Sequence, residues 1–293
     1  MDNILQKLKD SYSTFSKGQK LIADYIIDHY DKAAFMTAAK LGDTVGVSES
    51  TVVRFAIELG YDGYPKLQKV LREVIKRHLT SVQRLEVSSE HIESESVLKT
   101  VLQSDLNKIR MTMEEADPAN FNAIVEAILN SNRIYILGVR SSAPLASFLG
   151  FYFNLIFENV RVINTTSVSE IFEQIVNARS GDVVIGISFP RYSKRTSKAM
   201  EFARKQGATV IAITDNESSP LARLSDYSLF ARSDMASFVD SLVAPLSMIN
   251  ALIVAIGLKR KDVIHNTLVK LEKIWDEYQV YEKGEQNSDL NKD

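Results

Sequence analysis

Between Thr37 and Tyr64 the chain reads TAAKLGDTVGVSESTVVRFAIELGYDGY, two short helical patterns joined by a turn too tight to be anything but a corner. Thr37 is placed to cap a helix running from about Ala38 to Val45. Gly46 follows where a chain leaving a helix adopts positive φ at little steric cost. Val47 points back into the corner, and Ser48 has a hydroxyl able to accept from the backbone N–H of Ser50 or Thr51 and so open a second helix. Within that helix Val52, Phe55, Ala56 and Leu59 recur at three- and four-residue steps, which makes them one buried face. Ser50, Thr51 and Arg54 lie off that face. Gly42, without a side chain, lets the two helices approach closely where they cross.

This pattern predicts a helix-turn-helix. In such a unit the Ser48 to Leu59 helix enters the major groove of double-stranded DNA, with its first residues at base edges and its N–H groups toward phosphate. An ordinary helical corner has the same spacing, and the motif alone does not separate the two. Arg54 suits either bidentate pairing with guanine or a phosphate contact. Up to Arg77 the chain has twelve Lys and Arg against ten Asp and Glu, within a net charge of −2 overall. That balance permits DNA binding at the N-terminus and excludes a broadly basic nucleic-acid coat.

Around this motif, Ser16 and Gln19 have capping-box spacing, and Leu21, Ile22, Tyr25 and Ile26 form an apolar stripe for a helix packed behind the corner. After YDGYP the period resumes at Leu67, Val70, Leu71, Val74 and Ile75, with Lys66, Lys69, Lys76 and Arg77 on the outer side. Lys66 joins the candidate DNA contacts, although a solvated face is the ordinary role of such a charge run. From 78 to 95 the sequence gathers Ser and Glu and loses its period, as a linker does. Val97, Leu98, Val101, Leu102, Leu106 and Ile109 then form another stripe, and Asp117-Pro118 supplies a cap and first-turn proline for a helix carrying Phe121, Ile124, Val125, Ile128 and Leu129.

From Arg133 onward short apolar runs alternate with amphipathic helical stretches. RIYIL (133–137), VRVI (160–163), DVVIGIS (182–188), TVIAIT (209–214) and YSLF (227–230) read as five strands. Strands alternating with helices predict a parallel, doubly wound sheet, whose ligands bind beyond the carboxyl ends of the strands. Three of those ends are chemically loaded. Gly138, Arg140, Ser141 and Ser142 follow the first strand as a glycine turn with hydroxyls, suited to an anion. Ser188, Arg191, Ser193 and Thr196 follow the third strand, together with Lys194 and Arg195. Thr214-Asp215-Asn216 opens a turn after the fourth. Each alone is ordinary capping chemistry; three at one edge of a sheet predict a binding crevice.

With these pieces in order, the chain resembles the RpiR family of bacterial transcriptional regulators. VSESTVVRFAIELGYDGYPKLQ carries the resemblance in the first part and GATVIAITDNESSPLA in the second, which is similar to the SIS, or sugar isomerase, domain. The resemblance spans about Ser16 to Lys259. It implies a dimeric or tetrameric repressor or activator of sugar-metabolism genes whose SIS domain senses a phosphorylated sugar. Ser48, Ser50, Thr51 and Arg54 match the family's recognition helix. Ser141 and Ser142 fall where its first phosphate-binding serines lie, and Ser188 matches the first serine of the S-x-S-G-x-T loop. Pro190, Arg191 and Ser193 replace the second serine, the glycine and the threonine. Arg191, Lys194 and Arg195 can supply charge where the glycine's close backbone approach is gone.

The expected organisation is an all-α DNA-binding domain over residues 1–77, a linker over 78–95, an α/β SIS domain over 96–281 and a disordered tail from 282. No apolar run reaches membrane-spanning length and the first residues carry no signal peptide, which predicts a cytoplasmic protein. The absence of cysteine excludes disulfides and thiolate chemistry. No cofactor, metal or catalytic residue is expected. A sugar-phosphate isomerase needs a general base, and of the four histidines only His265 lies near the C-terminal helices, while Glu170 and Glu173 have ordinary helix-surface spacing. An isomerase, or an SIS domain that only dimerises, are the alternatives. Ala244, Leu246, Ile249, Leu252, Ile253 and Ile256 mark one C-terminal helix. Ile264, Leu268, Leu271, Ile274, Trp275 and Tyr278 mark a second, whose stripe either closes the core or pairs with another subunit.

Overall fold

The computed structural model describes residues 3–78, 82, 85, 96–233 and 239–281, which form two compact units. The first comprises Met1–Glu114 with Phe189–Tyr192 and Arg232–Ala244; the second comprises Glu115–Ser188, Ser193–Ala231 and Pro245–Asp293. Apart from His78, Val82 and Leu85, the expected linker lies outside the described residues, as does the tail from 282.

The first unit is helical: α1 (Asn3–Ser11), α2 (Lys17–Asp28), α3 (Tyr30–Ala33), α4 (Ala38–Val45), α5 (Glu49–Glu58), α6 (Tyr64–His78) and α7 (Val97–Glu115). Helix α1 was not anticipated, since its signal is only Ile4, Leu5 and Leu8 within little more than one turn; Ile4 and Leu8 are buried. Ser16 and Gln19 close the anticipated capping box at the start of α2. The buried face of α2 is Gln19, Ile22, Ala23 and Ile26; Leu21, expected inside, is exposed. At 100° per residue Ala23 completes a narrower arc than Leu21 does, and close helix packing favours the smaller side chain there. Phe15 and Phe55 meet edge to face with ring centroids 5.1 Å apart, fastening the approach to α2 against α5. Aromatic pairs prefer this geometry because the positive ring edge meets the negative face.

Helix α6 is tied back to α3 by polar groups. The Tyr64 hydroxyl donates to the carbonyls of Met36 at 2.9 Å and Ala33 at 3.2 Å, and Arg72 Nε donates to Ala34 at 2.9 Å.

The second unit contains α8 (Pro118–Leu129), β1 (Ile134–Gly138), α9 (Ala143–Ile156), β2 (Val160–Ile163), α10 (Val168–Ile175), β3 (Val183–Ile187), α11 (Lys194–Lys205), β4 (Thr209–Thr214) and β5 (Tyr227–Phe230). Two helices follow, α12 (Val243–Lys259) and α13 (Lys261–Glu277). Asp117 caps α8 through its carboxylate, and Pro118 stands in the first turn. The five strands are all parallel in the order β2-β1-β3-β4-β5. All residues of β1 and β3 are buried, as continuous apolar runs covered on both faces require. Direction reverses between β1 and β3: the chain steps outward to β2, then crosses to the other side. A crevice at the carboxyl ends of these two strands follows from that reversal. Gly186 lets Met200 of α11 lie against β3, since a Cβ there would stand 2.1 Å from the methionine sulfur.

Among the described residues no single helix is long and apolar enough to cross a membrane. Helices α12 and α13 together have the length and composition to do so, but they are bent by 96° at Arg260.

Candidate functional site

The helix-turn-helix is built as its residues predict. Thr37 accepts from the Lys40 N–H, and Gly46 ends α4 in the left-handed conformation at φ 76°. A Cβ on Gly42 would lie 2.7 Å from the Val47 carbonyl oxygen, so the corner closes only around glycine. Ser48 accepts from Thr51 N–H at 3.3 Å, and its hydroxyl oxygen is 2.9 Å from that of Ser50 and 2.8 Å from that of Thr51. Three hydroxyls are thus gathered at the first turn of α5. Two of the three hydroxyl protons are used between them, which leaves one proton to donate outward along with unused acceptor lone pairs. Val52, Phe55 and Ala56 are buried, and Arg54 stands exposed on the opposite side with Nε donating to the Ser50 carbonyl at 3.4 Å. Lys66 is exposed in the first turn of α6.

Beside this turn lies a depression of about 600 Å³ lined by Ser16, Gly18, Gln19, Val47, Ser48, Thr51, Arg54 and Glu58. Sequence reasoning took Ser16 and Gln19 as capping residues only. Gly18 was the available signal, because a glycine in a first helical turn marks a close approach. A Cβ there would stand 3.4 Å from Val47 Cγ1. The start of α2 is therefore set against the start of α5, and Gln19 donates its side-chain amide to the Glu58 carboxylate, joining the two helices.

In the second unit the loops after β1 and β3 leave neighbouring strands at one edge, since Gly138 pairs with Ile187. The turn Arg140–Ser142 is a short 3-10 helix with Arg140 at φ 57°. A Cβ on Gly138 would lie 2.5 Å from the Ser142 carbonyl oxygen, so the turn folds back on the strand end. Ser142 is buried there and Ser141 exposed. Ser188 is buried and accepts from the Ser193 N–H at 3.0 Å; Ser193 in turn caps α11 by accepting from Thr196 N–H at 3.3 Å. Thr196 is fully buried, and its hydroxyl is one of two buried side-chain atoms without a partner among the described residues, Asp182 Oδ1 being the other. Arg191 is exposed in the Phe189–Tyr192 stretch, which groups with the first unit.

The first turns of α11 carry Lys194, Arg195 and Lys198 and no acid, the reverse of what a helix dipole favours at its N-terminus. With Val168, Ile171 and Phe172 these cations line a recess of about 100 Å³, and Arg195 donates to the Thr166 carbonyl. After β4, the Thr214 hydroxyl donates to Ser219 Oγ at 2.8 Å, and Asn216 Oδ1 accepts from Ser218 N–H at 2.9 Å, closing a turn. Among the described residues no group of three or more His, Asp or Glu is placed to hold a metal ion.

The arrangement has clear relatives. Residues 2–78 match the model of the helix-turn-helix domain of the rpiR family, and residues 127–255 match the SIS domain. The chain belongs to the RpiR family. Along 273 residues it is 27% identical to an uncharacterised HTH-type transcriptional regulator of Caldanaerobacter subterraneus, covering 90% of this chain and 94% of that one. A similar regulator of Clostridium perfringens is 26% identical over 227 residues, 77% of this chain and 80% of that one. The sugar isomerase domain of an RpiR transcription factor from Sphaerobacter thermophilus superposes with a TM-score of 0.59 at 26% identity, covering 61% of this chain and 99% of that structure. The Vibrio vulnificus NanR protein, solved with ManNAc-6P, shares the fold along 94% of this chain and 99% of its own at a TM-score of 0.56 and 21% identity. As an RpiR-family member with both domains, the chain is a DNA-binding transcriptional regulator.

Proposed function

We propose that this RpiR-family regulator binds operator DNA through α5 and changes its DNA affinity when a small anionic sugar metabolite, a sugar phosphate above all, occupies the carboxyl edge of its sheet. The observation that supports this most is the hydroxyl-lined, cation-flanked start of α11 beside the Gly138–Ser142 turn. Acid is absent from that first turn and three cations stand against the helix dipole, an arrangement that favours an anion. That NanR was solved with ManNAc-6P agrees with this choice of ligand class. Ser48, Ser50, Thr51, Arg54 and Lys66 are the proposed DNA contacts. Gly138, Arg140, Ser141, Ser142, Ser188, Arg191, Ser193 and Thr196 are the proposed effector residues.

The protein acts as a homodimer or homotetramer in this reading, because one helix-turn-helix spans a single half-site. Helix α13 supports it: none of its side chains is buried, and Val269 and Ile274 are among its exposed apolar groups. We place a DNA-binding domain over residues 1–77, a linker over 78–95, an SIS domain over 96–281 and a tail from 282. The effector works by linkage, binding one subunit arrangement more tightly and so altering the spacing of the paired recognition helices. No turnover is part of this function; His265 is exposed on α13, away from the strand ends in sequence.

The test is thermal unfolding of the purified protein with ManNAc-6P, glucose 6-phosphate, other hexose and pentose phosphates and the matching unphosphorylated sugars. A ligand of the folded state raises the melting temperature by mass action. A rise with one phosphorylated sugar, lost in Ser188→Ala, supports the reading. Conversion of that sugar to an isomer, followed by NMR, would replace it with the isomerase reading.

A further inference from the structure

Glu58 is an unexpected residue on a helix that meets DNA. It ends α5, where the helix dipole disfavours a carboxylate, and DNA phosphate repels one. It also stands four residues after Arg54, the separation at which side chains on a helix are neighbours, with Cβ atoms about 5–6 Å apart. Both line the depression beside the first turn of α5. An arginine and a glutamate so placed can pair, yet here they do not. Among the described residues the one hydrogen bond of Arg54 runs from Nε to the Ser50 carbonyl at 3.4 Å, and the Glu58 carboxylate is taken by Gln19.

Gln19 is held in place to do this. Its side chain is 8% exposed and engaged at both ends. Oε1 accepts from the Ser16 N–H at 2.8 Å, closing the capping box of α2, so Nε2 is the end left to face α5. Turning the amide over would break the cap and set an oxygen against the carboxylate. The cap thus fixes the direction of the second bond, in which Nε2 donates to Glu58. One buried side chain opens α2 and restrains an acid on α5, 39 positions along the chain.

We infer that Gln19 is a positioning residue for DNA binding: by holding the Glu58 carboxylate toward α2, it keeps the Arg54 guanidinium available to DNA. Without that donor, Glu58 turns to the guanidinium one helical turn away, and DNA has to break a pair that the parent protein does not make. The attraction is that of an exposed ion pair, so its effect on affinity is about 2- to 5-fold. This rests on Arg54 being a DNA contact, the role proposed for it.

The full-length protein is titrated, by fluorescence anisotropy and well below the melting temperature of each variant, onto a duplex that the parent selects from random sequences. Gln19→Met removes the amide without changing charge. It is expected to weaken binding about 2- to 5-fold in the parent background. In Glu58→Gln, where no carboxylate remains to be released, and in Arg54→Ala it should change nothing further. A loss confined to the cap of α2 acts alike in every background, so an equal fall of affinity in Glu58→Gln overturns the inference. So does a Gln19→Met protein that binds as the parent does while Arg54→Ala binds weakly. Should Arg54→Ala itself bind as the parent does, the DNA role of Arg54 falls and this inference falls with it.

If Gln19→Met does not fold, Gln19→Glu keeps the cap acceptor and lacks the donor. It is expected to bind more weakly than the parent, and Gln19→Glu/Glu58→Gln, which restores a hydrogen bond between the two positions at the parent's net charge, to recover the parent's affinity. A loss of the same size from Gln19→Glu in Arg54→Ala is the effect of added charge alone and overturns the inference, as does an exchange of the two residues that recovers nothing.

Discussion

Gly42 and Val47 meet backbone to backbone: the Val47 N–H donates to the Gly42 carbonyl at 2.9 Å, and a Cβ on Gly42 would stand 2.7 Å from the Val47 carbonyl oxygen. The angle between α4 and α5 is set by that approach. Nothing flexible lies at the point of contact, so an added methyl group has to push backbone.

Gly42→Ala is therefore expected to destabilise the first unit by about 1–3 kcal/mol through overpacking. Urea unfolding followed by circular dichroism measures it. Gly46→Ala, which has open space around it but a φ of 76°, should cost about 1 kcal/mol from left-handed strain alone.

Arg54→Ala is expected to leave stability within about 0.5 kcal/mol of the parent, because the side chain is exposed. Affinity for DNA chosen by selection from random duplexes should fall about 5- to 150-fold if the guanidinium reads guanine. If it meets phosphate, binding should weaken alike on all sequences and the salt slope should drop by about one. Fluorescence anisotropy over a salt series distinguishes these outcomes, and unchanged binding removes Arg54 from the contacts.

Tyr64 links stability to alkaline pH. Burial pushes its pKa up to about 12 from the ordinary 10.0, and the nearby Arg72 opposes the shift. A folded-state pKa above the unfolded one contributes stability that is whole below pH 10 and is lost as pH rises through about 12. Tyr64→Phe should cost about 1–2 kcal/mol at neutral pH, since two backbone carbonyls lose a donor. It should also flatten the fall in melting temperature between pH 10 and 12.

Thr196→Val replaces a buried hydroxyl without a partner by a methyl group. The unliganded protein should keep its melting temperature or gain up to about 1 kcal/mol, because an unsatisfied group is removed and shape is kept. In the proposed function the thermal shift given by the active sugar phosphate should disappear in this variant. A full shift would take Thr196 out of the effector site.

Elements whose ends are local chemistry were legible residue by residue. Thr37, Gly46, Ser48, Ser16 with Gln19, and Asp117 with Pro118 each perform the capping expected of them. Such contacts close within a few residues, so sequence spacing suffices to place them. The strands were legible for a related reason: β2, β4 and β5 have the expected bounds, and the first and third differ only at their ends. Helix α1 was not legible, because three apolar residues within little more than one turn do not establish a period.

What the amino-acid sequence determined by itself was the five strands, most of the helices, their order and the chemistry at the strand ends. Which side of a helix faces inward was decided only by the tertiary structure. In α2 the choice fell on Ala23 over Leu21, and in α7 on Lys108 over Leu102. Periodicity states that an apolar stripe exists, but it carries no information on what stands opposite. In α7 Asp105 and Thr112 find partners at Ser241 and Arg232, more than a hundred positions along the chain, while Lys108 is held by Ser104 and Asp105 of the same helix. Polar groups satisfied at that distance outweighed the local preference for covering leucine, and left those leucines exposed.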